Sequence, residues 1–420
     1  MFRVQMLVIP FLLLTNVGLG QASTSSDQET IRLLVQQVHE LQDRVKALEA
    51  TQSGSKSAAA QPAEEQAEES ANSTQSQPTT AIMRELGGIQ WRGFGEVNYK
   101  VLDQRRPELS TFGFVPGSAG NFYTGEFALF LTSRINDKAS VLSEIVFDEH
   151  VEQQFDVDME RFLFKYDLND YLRMSFGRYQ TGISYFNTQY HSGRWFLTTV
   201  DRPLITEFAS EGGLLPTQAV GVSFTGLVPS GRLGLNYILE YGSSDTNRPH
   251  IDGSQVEDDE DNGNHVNLGL FARPDAIPGL QFGGSFYHDK VTNHDFTPAS
   301  RLGQSIVNTH VTYVGHGIEF LNEGFLIRHV QEHSQTVFNM PAFYSQFSKR
   351  FQKVSPFFRY QYANTNSRSI FEDVLLRHGP SFGARYDFND NIAFKTQLDH
   401  TIRKDKPDLN GLQLQLAFAF

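Results

Sequence analysis

The chain of 420 residues contains no cysteine. That absence excludes a disulfide scaffold, a thiolate metal site, a cysteine nucleophile and a lipid-anchored N-terminal cysteine. An excess of cations is also missing. Thirty-five Lys and Arg against 48 Asp and Glu leave a formal charge of -13, and a nucleic-acid partner, which needs a basic face to neutralise phosphate, is not expected. The third deficit is in long apolar runs. Mean hydropathy is -0.36, and no segment approaches the roughly 20 apolar residues that a helix needs to cross a bilayer. Against these absences stand 35 Phe, 15 Tyr and 34 Gly. Aromatics and glycines in quantity, without apolar runs, suit many strands whose two faces meet different surroundings.

The first segments are read by composition. Met1 to Arg3 is a short basic stretch, Val4 to Leu14 is mainly apolar, and Gly18-Leu19-Gly20 or Gly20-Gln21-Ala22 offers small residues for cleavage. Residues 1–22 are therefore expected to be a signal peptide. In residues 23–50, Ile31, Val38 and Val45 alternate with Leu34, Leu41 and Leu48 in a heptad. This predicts a short coiled coil, with β-branched and Leu positions that lean toward two helices and Arg44 spaced to pair with Glu49 of a neighbour. Residues 51–80 hold no aromatic residue and no aliphatic residue larger than Ala. Such a stretch cannot build a core, and 51–85 is assigned as a flexible linker.

Residues 86–420 read as strands. Phe162, Phe164 and Tyr166 alternate with Arg161, Leu163 and Lys165, and Phe382, Ala384, Tyr386 and Phe388 enclose Arg385 and Asp387. Short turns are expected at 136–138, 169–170, 229–231, 274–279, 315–317, 351–353 and 389–391. Longer polar links are expected near 101–121, 149–156, 180–217, 242–264, 289–303, 329–340, 363–378 and 402–410. Interleaved, these predict an all-β fold, an antiparallel transmembrane β-barrel of about 16 strands with both ends on the short-turn side. Segments 317–328 and 341–350 alternate poorly, which leaves counts of fourteen to eighteen open. The last residues, Leu412-Gln413-Leu414-Gln415-Leu416-Ala417-Phe418-Ala419-Phe420, read as a strand with its large side chains toward lipid and Gln413 and Gln415 toward water.

Charged residues on the inward face are the functional candidates. Alternation turns Arg92, Arg134, Arg161, Lys165, Arg173, Arg232, Arg359, Arg385 and Lys395 inward, with Glu96, Glu126, Glu144, Asp167, Glu240, Asp387 and Asp399. Of these, Arg161, Lys165, Arg173, Arg359 and Arg385 could line an anion path, or simply pair with acids across the wall. The longest link, 180–217, carries Tyr185, Phe186, Tyr190, Trp195, Phe196 and Phe208. So many aromatics predict a folded loop, either a constriction inside the barrel lined by Arg194, Asp201, Arg202, Glu207 and Glu211 or an external cap. The acidic run at 257–261 lacks the spacing of a calcium loop, and the histidines lack metal-ligand spacing. No metal or cofactor is expected.

Together these segments resemble the phosphate-selective porin superfamily, including members with an N-terminal periplasmic coiled coil. The stretch Phe176-Gly177-Arg178-Tyr179-Gln180-Thr181-Gly182 is similar to the Gly-(Arg/Gln)-aromatic-Lys-Thr-Pro element that such porins carry where the fifth strand meets the constriction loop. Gln180 stands for the Lys and Gly182 for the Pro, so phosphate selectivity does not carry over. The resemblance implies a homotrimer, and that Leu416, Phe418 and Phe420 are read by the barrel-assembly machinery. The expected function is a water-filled outer-membrane channel, embedded in lipid with its N-terminal segment in the periplasm, for small hydrophilic solutes with a leaning toward anions. The alternatives are a barrel that anchors a periplasmic coiled-coil tether, and a membrane-embedded barrel enzyme.

Overall fold

The computed structural model describes residues 84–86, 88–104, 119–149, 155–190, 193–207, 213–245, 264–293, 300–332, 334–366, 368, 374–404 and 406–420. The expected signal peptide, the coiled coil and nearly all of the linker lie outside them. The strands are β1 Arg84–Leu86, β2 Ile89–Leu102, β3 Ala119–Arg134, β4 Ala139–Glu149, β5 Phe155–Asn169, β6 Leu172–Gln180, β7 Gln218–Val228, β8 Leu235–Asp245 and β9 His265–Ala272. They continue as β10 Leu280–Asn293, β11 Ser300–Gly315, β12 Ile318–Gln331, β13 Val337–Lys349, β14 Val354–Asn364, β15 Leu376–Asp387, β16 Ile392–Arg403 and β17 Leu409–Ala419. Each strand from β2 onward pairs antiparallel with its successor, and β17 pairs back onto β2, which closes a barrel of sixteen strands.

All seven expected short turns join strands on one end of the barrel, and every longer link lies at the other. The tightest turn shows why its sequence forms one: His316 and Gly317 have φ of 54° and 69°. Two successive residues with positive φ match the twist of a hairpin. Several long links are shorter than expected. The links expected at 289–303 and 329–340 shrink to 294–299 and 332–336, because their polar residues pair as strand ends above the apolar belt. Arg232 is also displaced from its expected place: Gly231–Leu233 is a 3-10 turn and β8 starts only at Leu235.

Closure depends on glycine. The last backbone rung is reciprocal, Gly93 N donating to Phe420 O at 2.9 Å and Phe420 N to Gly93 O at 3.0 Å. A Cβ on Gly93 would lie 2.3 Å from the Phe420 ring, and one on Gly95 2.9 Å from the Phe418 ring. The terminal rings thus lie in a glycine notch on the outer face, where Phe420 also meets Phe127 and Trp91 with centroids 5.7 and 6.2 Å away. Below this rung β2 has lost its neighbour, and β1 folds back to pair with Ile89, Gln90 and Trp91 there. The other side of those three residues is held by β3.

Two solvents are written into the wall. The outward positions carry Phe162, Phe282, Leu326, Phe343, Phe358, Phe382 and Leu416, all well exposed. An apolar belt of that extent is stable only against hydrocarbon, where a closed ladder leaves no backbone group unpaired. Inward positions are polar over most strands, but on β10 to β14 they include Tyr287, Ile306, Leu321, Phe325, Ile327, Met340, Ala342 and Tyr344, all buried. Those residues explain the weak alternation at 317–328 and 341–350. There apolar side chains interrupt the polar inner face as well as covering the outer one, the outer set turned toward lipid and the inner set toward the loop that follows β6.

Gly93→Val is expected to force the Phe420 ring out of its notch and to destabilise the barrel by about 1–3 kcal/mol, seen as a lower urea midpoint. Gly88→Asn, at a φ of +82° with open space around it, should lower that midpoint less, because it meets backbone strain alone and Asn bears the left-handed region better than most residues.

Candidate functional site

The loop between β6 and β7 turns into the barrel instead of capping it. The strand that leads into it holds Gly177, whose φ of +123° and the 2.0 Å at which an added Cβ would meet Phe162 O admit no side chain. The two ends of the loop are tied together, Thr181 N donating to Thr217 O at 3.0 Å. The Asn187 side chain donates to both Thr181 O and Thr217 O at 2.8 Å. Gly182 then gives its N–H to both carboxylate oxygens of Glu240 on β8, at 3.1 and 2.9 Å. A proline at 182 would have no hydrogen to give. Gly182, where the element this stretch resembles has proline, therefore has a structural use.

Past the root, the short helix α1, Tyr185–Gln189, is capped by the Ser184 hydroxyl, which accepts from Asn187 N. The N–H groups of Tyr185 and Phe186 donate at 2.8 and 2.9 Å to the carboxylate of Glu323 on β12. Glu323 also accepts from the Tyr344 hydroxyl and the Asn308 amide, at 2.7 and 3.1 Å. Glu319, four residues back along β12, takes the hydroxyls of Tyr190 and Thr198 at 3.1 and 3.2 Å. The wall on this side presents acceptors to the donors of the loop.

At the far end the polarity reverses. Lys395 on β16 donates to Arg194 O and, at 3.1 Å, to Thr199 O. Arg385 on β15 donates to Trp195 O and Leu197 O at 2.5 and 3.0 Å and lies 4.8 Å over the Trp195 ring. Arg359 on β14 bridges to Asp201, reaching its carbonyl at 2.9 Å and its carboxylate at 2.5 Å. The amides of Gln397 and Gln413 complete the clamp, at 2.6 and 2.9 Å from the Asp201 carboxylate.

Of the residues singled out from the sequence, Arg359 and Arg385 point inward and are spent on the loop, with 1 % and 7 % of their side chains exposed. Arg202 turns into the loop itself, its guanidinium 5.2 Å over the Phe186 ring and its Nε on Thr206 O. Arg194 stays near the lumen beside Glu96, at 3.8 Å. Glu207 is half-buried after the Leu204–Thr206 turn, and Glu211 lies outside the described residues. Gln413 and Gln415 were expected in open water, yet both are buried, with Gln415 donating to Val200 O at 3.4 Å. The residues that sequence reasoning missed are Glu319, Glu323 and the glutamines. Their one signal was a polar side chain at an inward position, which every strand of such a barrel shows.

Accessible surface on the inner wall is concentrated on β3 to β6. There Arg134, Asp158 and Asp167 are exposed and Arg161, Lys165 and Arg173 half-buried, whereas the inward positions from β9 to β17 are nearly all buried. Arg161 holds the buried Glu144 at 2.6 Å and stacks 5.2 Å over the Phe130 ring. Among the described residues, no three His, Asp or Glu side chains are grouped to hold a metal ion.

No protein-family model matches the chain, and no curated protein matches it in sequence. Solved structures do. An anion-selective porin from Comamonas acidovorans superposes with a TM-score of 0.54 at 10 % identity, over 79 % of this chain and 99 % of that one. OmpT, an outer membrane protein of Vibrio cholerae, gives 0.50 at 12 % identity, over 81 % and 100 %. At such identities the likeness concerns the fold, the closed barrel that both share with this chain.

Removing one partner of a buried ion pair costs on the order of 3 kcal/mol, while the remaining hydrogen bonds of the loop contribute about 1 kcal/mol each. Arg359→Ala should therefore loosen the far end of the loop without expelling it. The expected result is a lower unfolding midpoint together with faster limited proteolysis near Asp201. Unchanged cleavage would mean that the clamp does not hold the loop.

Proposed function

We propose that the chain is an outer-membrane porin, a water-filled channel for passive diffusion of small hydrophilic solutes with a preference for anions. The observation that carries this reading is the division of the lumen. A loop held on the β8 to β17 side leaves accessible, charged wall along β3 to β6. Charged side chains in water along a pore filter ions by sign. Arg134, Arg161, Lys165 and Arg173 share that wall with Asp148, Asp158, Glu160 and Asp167, and the leaning toward anions draws on the cluster of Arg134, Lys165 and Arg173 toward the short turns. Arg194, Asp201 and Glu207 belong to the loop that narrows the path. Arg359 and Arg385 serve it by holding that loop in place.

The outer membrane is the setting that suits such a barrel, since the apolar belt needs lipid and a single-chain barrel of even strand number with short turns at one end is built for it. The heptad at 23–50 would lie in the periplasm and support a trimer, and Leu416, Phe418 and Phe420 would be presented to the barrel-assembly machinery. A tether reading draws on that heptad alone, and an enzyme reading would be tested by a serine- or metal-directed inhibitor on the purified protein.

Purified protein in a planar bilayer should give stepwise conductance, with a reversal potential in a salt gradient that reports anions as the more permeant ions. Absence of steps would refute the channel, and a reversal potential of the opposite sign would refute the selectivity. Deletion of residues 23–80 should leave conductance intact. If the protein is instead a tether, the deletion should abolish envelope attachment while the full-length chain conducts nothing.

A further inference from the structure

The charges on the accessible wall are not mixed evenly along the pore axis. On β4 and β5 the end nearest the long loops carries Asp148 and Asp158. Midway, Arg161 and Glu144 neutralise each other at 2.6 Å. Toward the short turns follow Lys165 on β5, Arg173 on β6, Arg134 on β3 and Arg92 on β2. The acids at that end are Asp167, Asp137, which meets Arg134 at 3.8 Å, and Asp170, which meets Arg173 at 3.2 Å. They reduce the basic zone without cancelling it. Among the described residues, Glu160 adds a third acid at the long-loop end, and the cations there are Lys100 on β2 and Arg178 on β6, whose guanidinium donates to Gln218.

We infer that this arrangement makes the pore a rectifier, with a cation-attracting zone at the long-loop end and an anion-attracting zone at the short-turn end. The inference rests on the channel reading above. Asp158 and Lys165 are seven residues apart on one strand, a contour of about 23 Å at about 3.3 Å per residue. The Debye length is about 10 Å in 0.1 M salt and about 3 Å in 1 M, so in dilute salt the two zones act on ions separately over their own stretches of the pore. When the long-loop side is positive, cations enter through the acidic zone and anions through the basic zone, and both accumulate at the junction. With the opposite polarity both are drawn away from it, and the junction is depleted of carriers. Asp148, Asp158, Lys165 and Arg173 are thus the residues that set the direction of easy flow.

The test is the current–voltage curve of single channels in symmetrical KCl, with insertion direction fixed by which compartment's impermeant thiol reagent labels Lys353→Cys in a short turn. In about 0.1 M KCl the current with the long-loop side positive should exceed the reverse current by at least about 1.5-fold, and the ratio should approach one in about 1 M KCl. Asp148→Asn with Asp158→Asn should abolish the asymmetry, and so should Lys165→Gln with Arg173→Gln, at the opposite end of the pore. Equal currents in dilute salt, or a larger current with the long-loop side negative, would overturn the rectifier while leaving the channel standing. Absence of conductance steps would overturn both.

Discussion

Everything else in this molecule depends on a wall without an edge. In hydrocarbon an unpaired backbone N–H or C=O costs several kcal/mol, so the ladder between β2 and β17 has to close, and the rung between Gly93 and Phe420 closes it. The glycine notch that receives Phe418 and Phe420 lets two large rings lie flat on the outer face of that seam. Once the ring is closed, the period of two in every strand sends each residue to one of two surroundings. The apolar belt and the polar lumen follow from that single constraint.

The loop inside the barrel is the second consequence. With little secondary structure of its own it must find partners for its backbone groups elsewhere. Near its root the wall supplies carboxylates to the N–H groups of Gly182, Tyr185 and Phe186. At its far end the wall supplies Arg385 and Lys395 to the carbonyls of Trp195, Leu197 and Thr199. Asp201 and Arg359 join the two schemes, a loop carboxylate meeting a wall cation. Much of the charge inside the barrel therefore positions the loop, and the charge left accessible on β3 to β6 is what a solute would meet in the proposed channel.

Local signals carried most of the fold. Six of the seven turns and the parity of the strands could be read because Gly, Asn, Asp and Pro in turns and the period-two pattern act within a few residues, whereas Phe351-Gln352-Lys353 carries none of those residues. What could not be read depends on distant partners. Leu321, Phe325 and Met340 spoil the alternation of β12 and β13 because they answer a loop that joins the wall through contacts such as Tyr185 to Glu323, 138 positions apart. The same distance concealed that Arg359 and Gln413 hold Asp201 rather than face open water. Arg202 looked like a lining residue, yet its partners Phe186 and Thr206 lie within the loop. Inward direction was legible at such positions, but accessibility was not.

The central claim is that the path for solutes runs along β3 to β6 while the opposite wall is closed by the loop. A chain with no cysteine allows it to be tested one position at a time by reacting single Cys variants with a charged, bulky thiol reagent while current is recorded. Lys165→Cys should react quickly and lose most of its current, and Gln397→Cys, at a buried position behind the loop, should react slowly or not at all. Rapid block at Gln397→Cys with none at Lys165→Cys would place the path on the other side of the loop and contradict the account.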